Sequence, residues 1–426
     1  MAELERSLGF WQITLMSIGI ILGAGIYVVI GEAAGLSGNM LWLSFIFAAV
    51  VATFTGLSYA ELSSRFPTAA AEYTYVEESF GPTLAWITGW LIIAGSIIGS
   101  ATVALGFSRY FNALFSTPLL PVALIALAII GIVLFAGVQE TASLTILFTL
   151  IEAAGLLIII FIGIPSIGTV DYLEMANGMK GVIEAGVLIF FGYIGFEGIT
   201  RLASETKKPE KTIPKAILLS ILITTIFYIL VGIAAISVVP WNELATANAP
   251  LSLVAEKVLG SNSFLILSVI ALFSTFNTAL VMLLSGSRLV FGMAKEKGLP
   301  KIFSRVSPLT RSPGIAIIAV VLASMLFLFL GDLKTIANLT NFTIFTIFIV
   351  VNAAVIYFRY KKPVSTGFKS PLSIGRLPVF PVLGLVSAAF MMVNLDRIVF
   401  LVGIGLILLG FILHTILRYG RWEMRF

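Results

Sequence analysis

Apolar runs of about 20 residues recur from one end of the chain to the other, and they leave few folds open. A run of that length with few charges crosses the hydrocarbon core of a bilayer as an α-helix. A transmembrane β-barrel would instead alternate in segments of roughly 10 residues, and these runs do not. The expectation is an all-α integral membrane protein with twelve spans. They cover about 10–36, 39–63, 83–112, 118–138, 142–165, 181–203, 213–239, 262–293, 314–331, 333–359, 377–394 and 396–418, numbered here helices 1 to 12. Composition agrees: 59% of the 426 residues are hydrophobic and 11% charged, with mean hydropathy +1.08, where a soluble domain is about 25% charged. The first run lacks a small-residue cleavage site and reads as a retained helix rather than a signal peptide.

Charge placement sets the expected topology. With the N terminus in the cytoplasm, 21 of the 26 Lys and Arg residues fall on the inner side and five on the outer. This is the positive-inside distribution, so both termini are expected to be cytoplasmic. It also accounts for the net charge of +5 without a nucleic acid partner. Cysteine is absent and His414 is the single histidine, so thiolate or His-based metal sites, disulfides and His-dependent triads are excluded, no cofactor is expected and His414 reads as structural. Nothing specifies an oligomeric state.

Two stretches break the regularity of the spans. Gly19-Ile-Ile-Leu-Gly-Ala-Gly-Ile-Tyr27 places three glycines mid-helix, each costing about 1 kcal/mol of helix propensity relative to Ala. Glycines let a helix unwind, and unwound backbone at membrane depth is tolerated where it lines a cavity. The same spacing is also a GxxxG, which packs helices closely without any ligand. Phe191-Gly-Tyr-Ile-Gly-Phe-Glu-Gly198 interrupts helix 6 in a similar way. Interruptions in helices 1 and 6 divide the first ten spans into two sets of five, the layout of inverted-repeat transporters. The expected units are residues 1–176, 177–360 and 361–426, the last holding helices 11 and 12.

Glu152 lies in the middle of helix 5, where burying an ionisable group costs at least ~2.5 kcal/mol, so it is a functional candidate by default; the alternative is a protonated carboxyl that holds helices together. Glu197 follows the helix 6 break, either as a titrating group or as a partner for freed backbone N–H groups. Ser274, Thr275, Asn277 and Thr278 interrupt helix 8, either contacting an ion near helix 1 or hydrogen-bonding back to their own helix.

Gly23-Ala-Gly-Ile-Tyr-Val-Val-Ile-Gly-Glu-Ala-Ala-Gly35 resembles the helix 1 signature of the amino acid–polyamine–organocation superfamily. Tyr59-Ala-Glu-Leu-Ser-Ser-Arg-Phe-Pro-Thr68 with Glu72-Tyr-Thr-Tyr75 is similar to the segment after helix 2 in its permeases. Gly192-Tyr-Ile-Gly-Phe-Glu197 with Glu205-Thr-Lys-Lys-Pro209 resembles the helix 6–7 signature. Ser287-Arg288 with Met293-Ala294-Lys295, and Tyr357-Phe-Arg-Tyr-Lys-Lys-Pro363, resemble the ends of helices 8 and 10. The likeness leans towards the cationic-amino-acid-transporter-like branch.

The resemblance implies an amino acid permease of the plasma membrane with a 5+5 inverted-repeat fold and alternating access. Backbone N–H groups around Gly23, Ala24 and Gly25 would then take the substrate carboxylate, at a helix N-terminus that suits an anion. Carbonyls at Ile21, Phe191 and Ile194, beside Gly195, would take the ammonium, with Phe191 also an aromatic gate. Coupling would run through Glu152, Glu197, Ser274 and Thr275, with H+ or, as in related folds, Na+ as the coupling ion. Some proton-coupled permeases of the superfamily carry a lysine where Glu152 aligns, and a carboxyl there inverts the electrostatics. Symport and exchange both fit. The Gly-rich apolar stretch Ile93-Ala-Gly-Ser-Ile-Ile-Gly-Ser100 favours a neutral substrate over a cationic one. A membrane amino acid sensor is the alternative from another class, and the short lead and tail speak against it. An intramembrane enzyme would need a nucleophile–base or metal-ligand set that the sequence lacks.

Overall fold

The structure, a computed structural model, describes residues 6–308, 310–329, 333–362 and 367–423. The expected end of helix 9 at 331, and Pro363 and Arg425, lie outside the described residues. Among the described residues the regular structure is helical apart from one two-stranded turn, Ser373–Ile374 with Leu377–Pro378, and an isolated bridge between Leu8 and Thr206. In order the helices are α1 Phe10–Ser37, α2 Leu41–Arg65, α3 Ala71–Phe80, α4 Pro82–Phe115, α5 Leu119–Ala136, α6 Val138–Gly163, α7 Gly178–Ile189, α8 Pro209–Val238, α9 Trp241–Thr246, α10 Pro250–Leu259, α11 Ser261–Lys295, α12 Gly314–Phe327, α13 Leu333–Lys361, α14 Val379–Val393 and α15 Arg397–Glu423. Among the described residues nine segments are long and apolar enough to cross a membrane, the first of them running through both α1 and α2. Two shorter apolar helices, α12 and α14, stand where helices 9 and 11 are expected. Three short helices absent from the twelve-span reading, α3, α9 and α10, fill the connections.

Burial separates the centre from the rim. The most apolar stretch of Phe10–Arg65 is 94% buried and that of Gly178–Glu205 is 89% buried, against 33% for α5 and 17% for α15. The two stretches singled out by their glycines therefore sit in the middle of the bundle. The rim helices turn large apolar side chains outward, Ile129 and Ile132 on α5, Leu401 and Ile412 on α15. A belt of that kind is stable against lipid and would be a liability in water. The protein is a multi-pass membrane protein.

One end of the bundle is tied by polar contacts. Leu8 bridges the segment after helix 6, its N–H donating to the Glu205 carbonyl at 2.9 Å while its own carbonyl accepts from Lys207 N–H at 2.8 Å. On the same face Arg359 at the end of α13 holds Glu61 of α2 through two hydrogen bonds of 2.7 and 2.8 Å. Arg288 lies inside α11 and Arg201 inside the helix 6 segment, both buried, so the Lys and Arg residues are not confined to loops and helix ends.

Candidate functional site

The break in helix 6 is where the sequence places it. Regular helix stops at Ile189, a tight 3-10 turn covers Phe190–Tyr193, and a second 3-10 stretch runs from Gly198 to Glu205. Between them Gly195 has φ +131°, a conformation open to glycine and strained for residues with a Cβ. Its freed N–H donates to Glu197 Oε2 at 2.9 Å, and the Glu197 carbonyl accepts from Thr200 Oγ1 at 2.6 Å. Glu197 thus closes the break by taking up a backbone donor that the helix has released.

Helix 1 behaves differently from the expectation. α1 is helical without interruption from Phe10 to Ser37, so Gly23, Ala24 and Gly25 do not open a second helix N-terminus. The glycines serve contact instead. A Cβ at Gly23 would collide with Thr278 Oγ1 and lie 2.8 Å from the Ser274 carbonyl; one at Gly25 would collide with Gly192 Cα and the Tyr228 hydroxyl and lie 2.9 Å from the Gly192 carbonyl carbon. Helix 1 can press onto the helix 6 break because neither backbone carries a side chain there. The Ile21 carbonyl accepts a hydrogen bond from the Tyr228 hydroxyl, which also lies 2.9 Å from the Gly192 carbonyl. One hydroxyl carries one proton, so it serves the two carbonyls in turn. Tyr228 was invisible to sequence reading: a tyrosine within Ile-Phe-Tyr-Ile-Leu looks like any apolar helix residue.

Glu152 is fully buried between α1, α6 and α11. Its Oε2 accepts from Ser274 Oγ at 2.7 Å, and a Cβ on Gly19 would lie 3.1 Å from its Oε1. Asn277 stands against the same carboxyl and donates to Thr149 Oγ1 at 3.3 Å. Glu152 Oε1 and Asn277 Oδ1, both buried acceptors, lack a hydrogen bond of normal geometry. Thr275 does not join the cluster: its hydroxyl bonds back to the Ala271 carbonyl at 2.8 Å. Consecutive helix residues point about 100° apart, so Ser274 faces Glu152 while its neighbour turns away.

A cavity of about 20 Å³ lies beside the break, room for roughly one water. Ile20, Ile92, Ile194, Met282 and Ile344 line it together with Gly95, Ser96, Gly198 and the polar groups Glu197, Arg201 and Ser285. Phe191 is buried in the surrounding core rather than on this wall. Beyond the polar end, Arg201 grips Glu72 of α3 with contacts of 2.6 to 3.2 Å and donates to Ser285 Oγ at 2.6 Å. A second buried pair, Arg288–Glu205 at 3.3 Å, follows it towards the N-terminal face. Sequence reading missed Glu72, Arg201 and Ser285 as site neighbours, because Glu72 and Arg201 are 129 residues apart and each looks like an ordinary loop charge.

An uninterrupted helix pressed on a broken one at the centre of an apolar bundle, with a buried carboxyl beside the contact, is an arrangement that fits a membrane transporter. The sequence profile of the amino acid permease family matches residues 8–414, and the chain belongs to that family. It is 30% identical to the branched-chain amino acid permease BcaP of Bacillus subtilis, covering 97% of this chain and 93% of that one. It is equally 30% identical to the methylthioribose transporter of the same organism, over 94% of this chain and 90% of that one. Cationic amino acid transporter 4, a vacuolar protein of Arabidopsis thaliana, is 28% identical over 85% of this chain and 64% of its own length.

Proposed function

We propose that the chain is a proton-coupled symporter of neutral aliphatic amino acids, working in the plasma membrane with both termini in the cytoplasm. It would cross the bilayer twelve times as two inverted repeats, 1–176 and 177–360, with helices 11 and 12 added at 361–426, and work by alternating access. The observation that supports the coupling is the Glu152 cluster: among the described residues Glu152 Oε1 and Asn277 Oδ1 are buried acceptors without a hydrogen bond of normal geometry. Orphaned acceptors are costly in a low-dielectric interior, and one proton on the carboxyl supplies the missing donor. Support for the substrate class comes from the likeness to BcaP and from the four isoleucines and one methionine beside the small central cavity, which would have to widen to admit an aliphatic side chain. The substrate ammonium would meet the Ile21 carbonyl once Tyr228 has released it, beside the Ile194–Gly195 backbone at the helix 6 break. Glu197, on the wall of the central cavity, would be the second titrating group.

Uptake of labelled leucine, alanine, lysine and methylthioribose into proteoliposomes with no internal substrate tests this reading. An inward proton gradient should drive leucine accumulation, and a sodium gradient should not. Uptake that requires substrate inside would make the protein an exchanger, and preference for lysine would overturn the aliphatic assignment. Glu152→Gln, which keeps the shape and removes the titration, should abolish stimulation by the proton gradient and leave a residual uptake that no longer changes with external pH. An unchanged pH response in that variant would remove Glu152 from the coupling step.

A further inference from the structure

A second cavity, of about 240 Å³, opens on the face opposite the N terminus, between the outer ends of α1 and α4 and the connection from α9 to α10. Its floor is Tyr27 and Tyr110, whose rings meet edge to face at 6.5 Å. Both floor hydroxyls are occupied elsewhere: Tyr110 donates to the Tyr27 carbonyl at 2.8 Å and Tyr27 to the Glu152 carbonyl at 3.1 Å. Both residues are themselves buried, 0% and 1% exposed, so what the cavity presents is mostly its polar wall. On the wall, Glu32 of α1 meets Arg109 of α4 in a single contact of 3.4 Å, with the two side chains 28% and 33% exposed.

This pair is made differently from the buried ones. Arg359 and Arg201 each hold their carboxylates through several short hydrogen bonds. Arg109 makes one long contact among the described residues, although a guanidinium offers five donors. Its capacity to bind a carboxylate in two places at once is largely unused, and Glu32 is equally under-committed. An anion-binding group and a cation-binding group side by side match the carboxylate and the ammonium of an α-amino acid.

We propose that this outer cavity is a second amino acid site, separate from the central one, in which Arg109 takes the substrate carboxylate and Glu32 the ammonium. The assignment rests on the amino acid reading above. A ligand here would lie beyond Tyr27, whose hydroxyl donates to the Glu152 carbonyl, and so would load the transporter from the outer face ahead of the central cavity.

The chain contains no cysteine, so Asn248→Cys, at the exposed rim of this cavity, gives a single reporter for a water-soluble maleimide on the full-length protein in detergent. Leucine should slow labelling. Isopentylamine, without the carboxylate, and 4-methylpentanoate, without the ammonium, should not at the same concentration. Losing a charge-assisted bond costs about 1.5–3 kcal/mol, so Arg109→Gln and Glu32→Gln should each raise the half-protecting leucine concentration about tenfold or more, while Arg109→Lys recovers part of it. Ile194→Trp, which fills the central cavity, should stop uptake and leave protection intact. Equal protection in Arg109→Gln, or protection lost in Ile194→Trp with unliganded labelling unchanged, would overturn the second site. Protection by leucine in a protein that takes up no amino acid into empty or loaded vesicles would sink the transport reading and leave the site standing.

Discussion

Gly25→Val will abolish amino acid uptake while the protein still reaches the membrane. Its Cβ would overlap Gly192 Cα and the Tyr228 hydroxyl, and would sit 2.9 Å from the Gly192 carbonyl carbon. Side chains can rotate away from an intruding methyl, but two of these three contacts are backbone, so helix 1 itself must lift from the helix 6 break. Overpacking a well-filled interior costs about 1–3 kcal/mol, sometimes more, and a backbone collision belongs at the upper end. The reciprocal change, Gly192→Ala, brings a Cβ to 2.7 Å from Gly25 Cα and should act in the same direction. Gly405→Ala is the control: nothing lies within 4 Å of a Cβ there, and the helix gains propensity. Uptake measured per molecule of purified protein decides the matter. Wild-type rates in Gly25→Val would mean that helix 1 and helix 6 do not need this contact to work.

The same glycines show how far the sequence could be read. A glycine cluster in a membrane span has two physical uses, freeing backbone or admitting a neighbour, and both leave the same residues. In helix 6 the ambiguity was resolvable, because Gly195 is followed two positions later by a carboxylate able to accept the released N–H, and the break is there. In helix 1 no such partner follows, and the glycines turn out to admit Thr278, Gly192 and Tyr228. Glu152 was legible for a simpler reason: a lone carboxyl in the middle of an apolar run has few innocent explanations. That Ser274 rather than Thr275 would meet it depended on the rotation of α11, which spacing alone does not set. The buried pairs were least legible. Arg201 and Arg288 lie close enough to span ends to pass for loop cations, and only the packing of α3 and of the segment after helix 6 shows that both are shut inside.

Arg201→Met will destabilise the protein by about 3–5 kcal/mol, the usual cost of stranding one member of a buried ion pair. Arg201 and Glu72 are 3% and 0% exposed, and the guanidinium bonds both carboxylate oxygens and Ser285 Oγ. Removing the cation leaves Glu72 with the Tyr59 hydroxyl, 3.4 Å away, as its remaining side-chain partner. The double change Glu72→Leu with Arg201→Met should restore most of the lost stability, because an apolar pair of similar volume replaces two desolvated charges at little net cost. The two substitutions are therefore expected to be strongly non-additive in thermal unfolding of the detergent-solubilised protein. The pair also stands between the central cavity and the N-terminal face, next to Ser285 on the cavity wall. If it holds that side shut, Ser285→Cys in the stable double variant should react with a maleimide much faster than in the wild-type background. Stability recovered with no gain in reactivity would make the pair a structural tie; a gain in reactivity would make it the inner latch of alternating access.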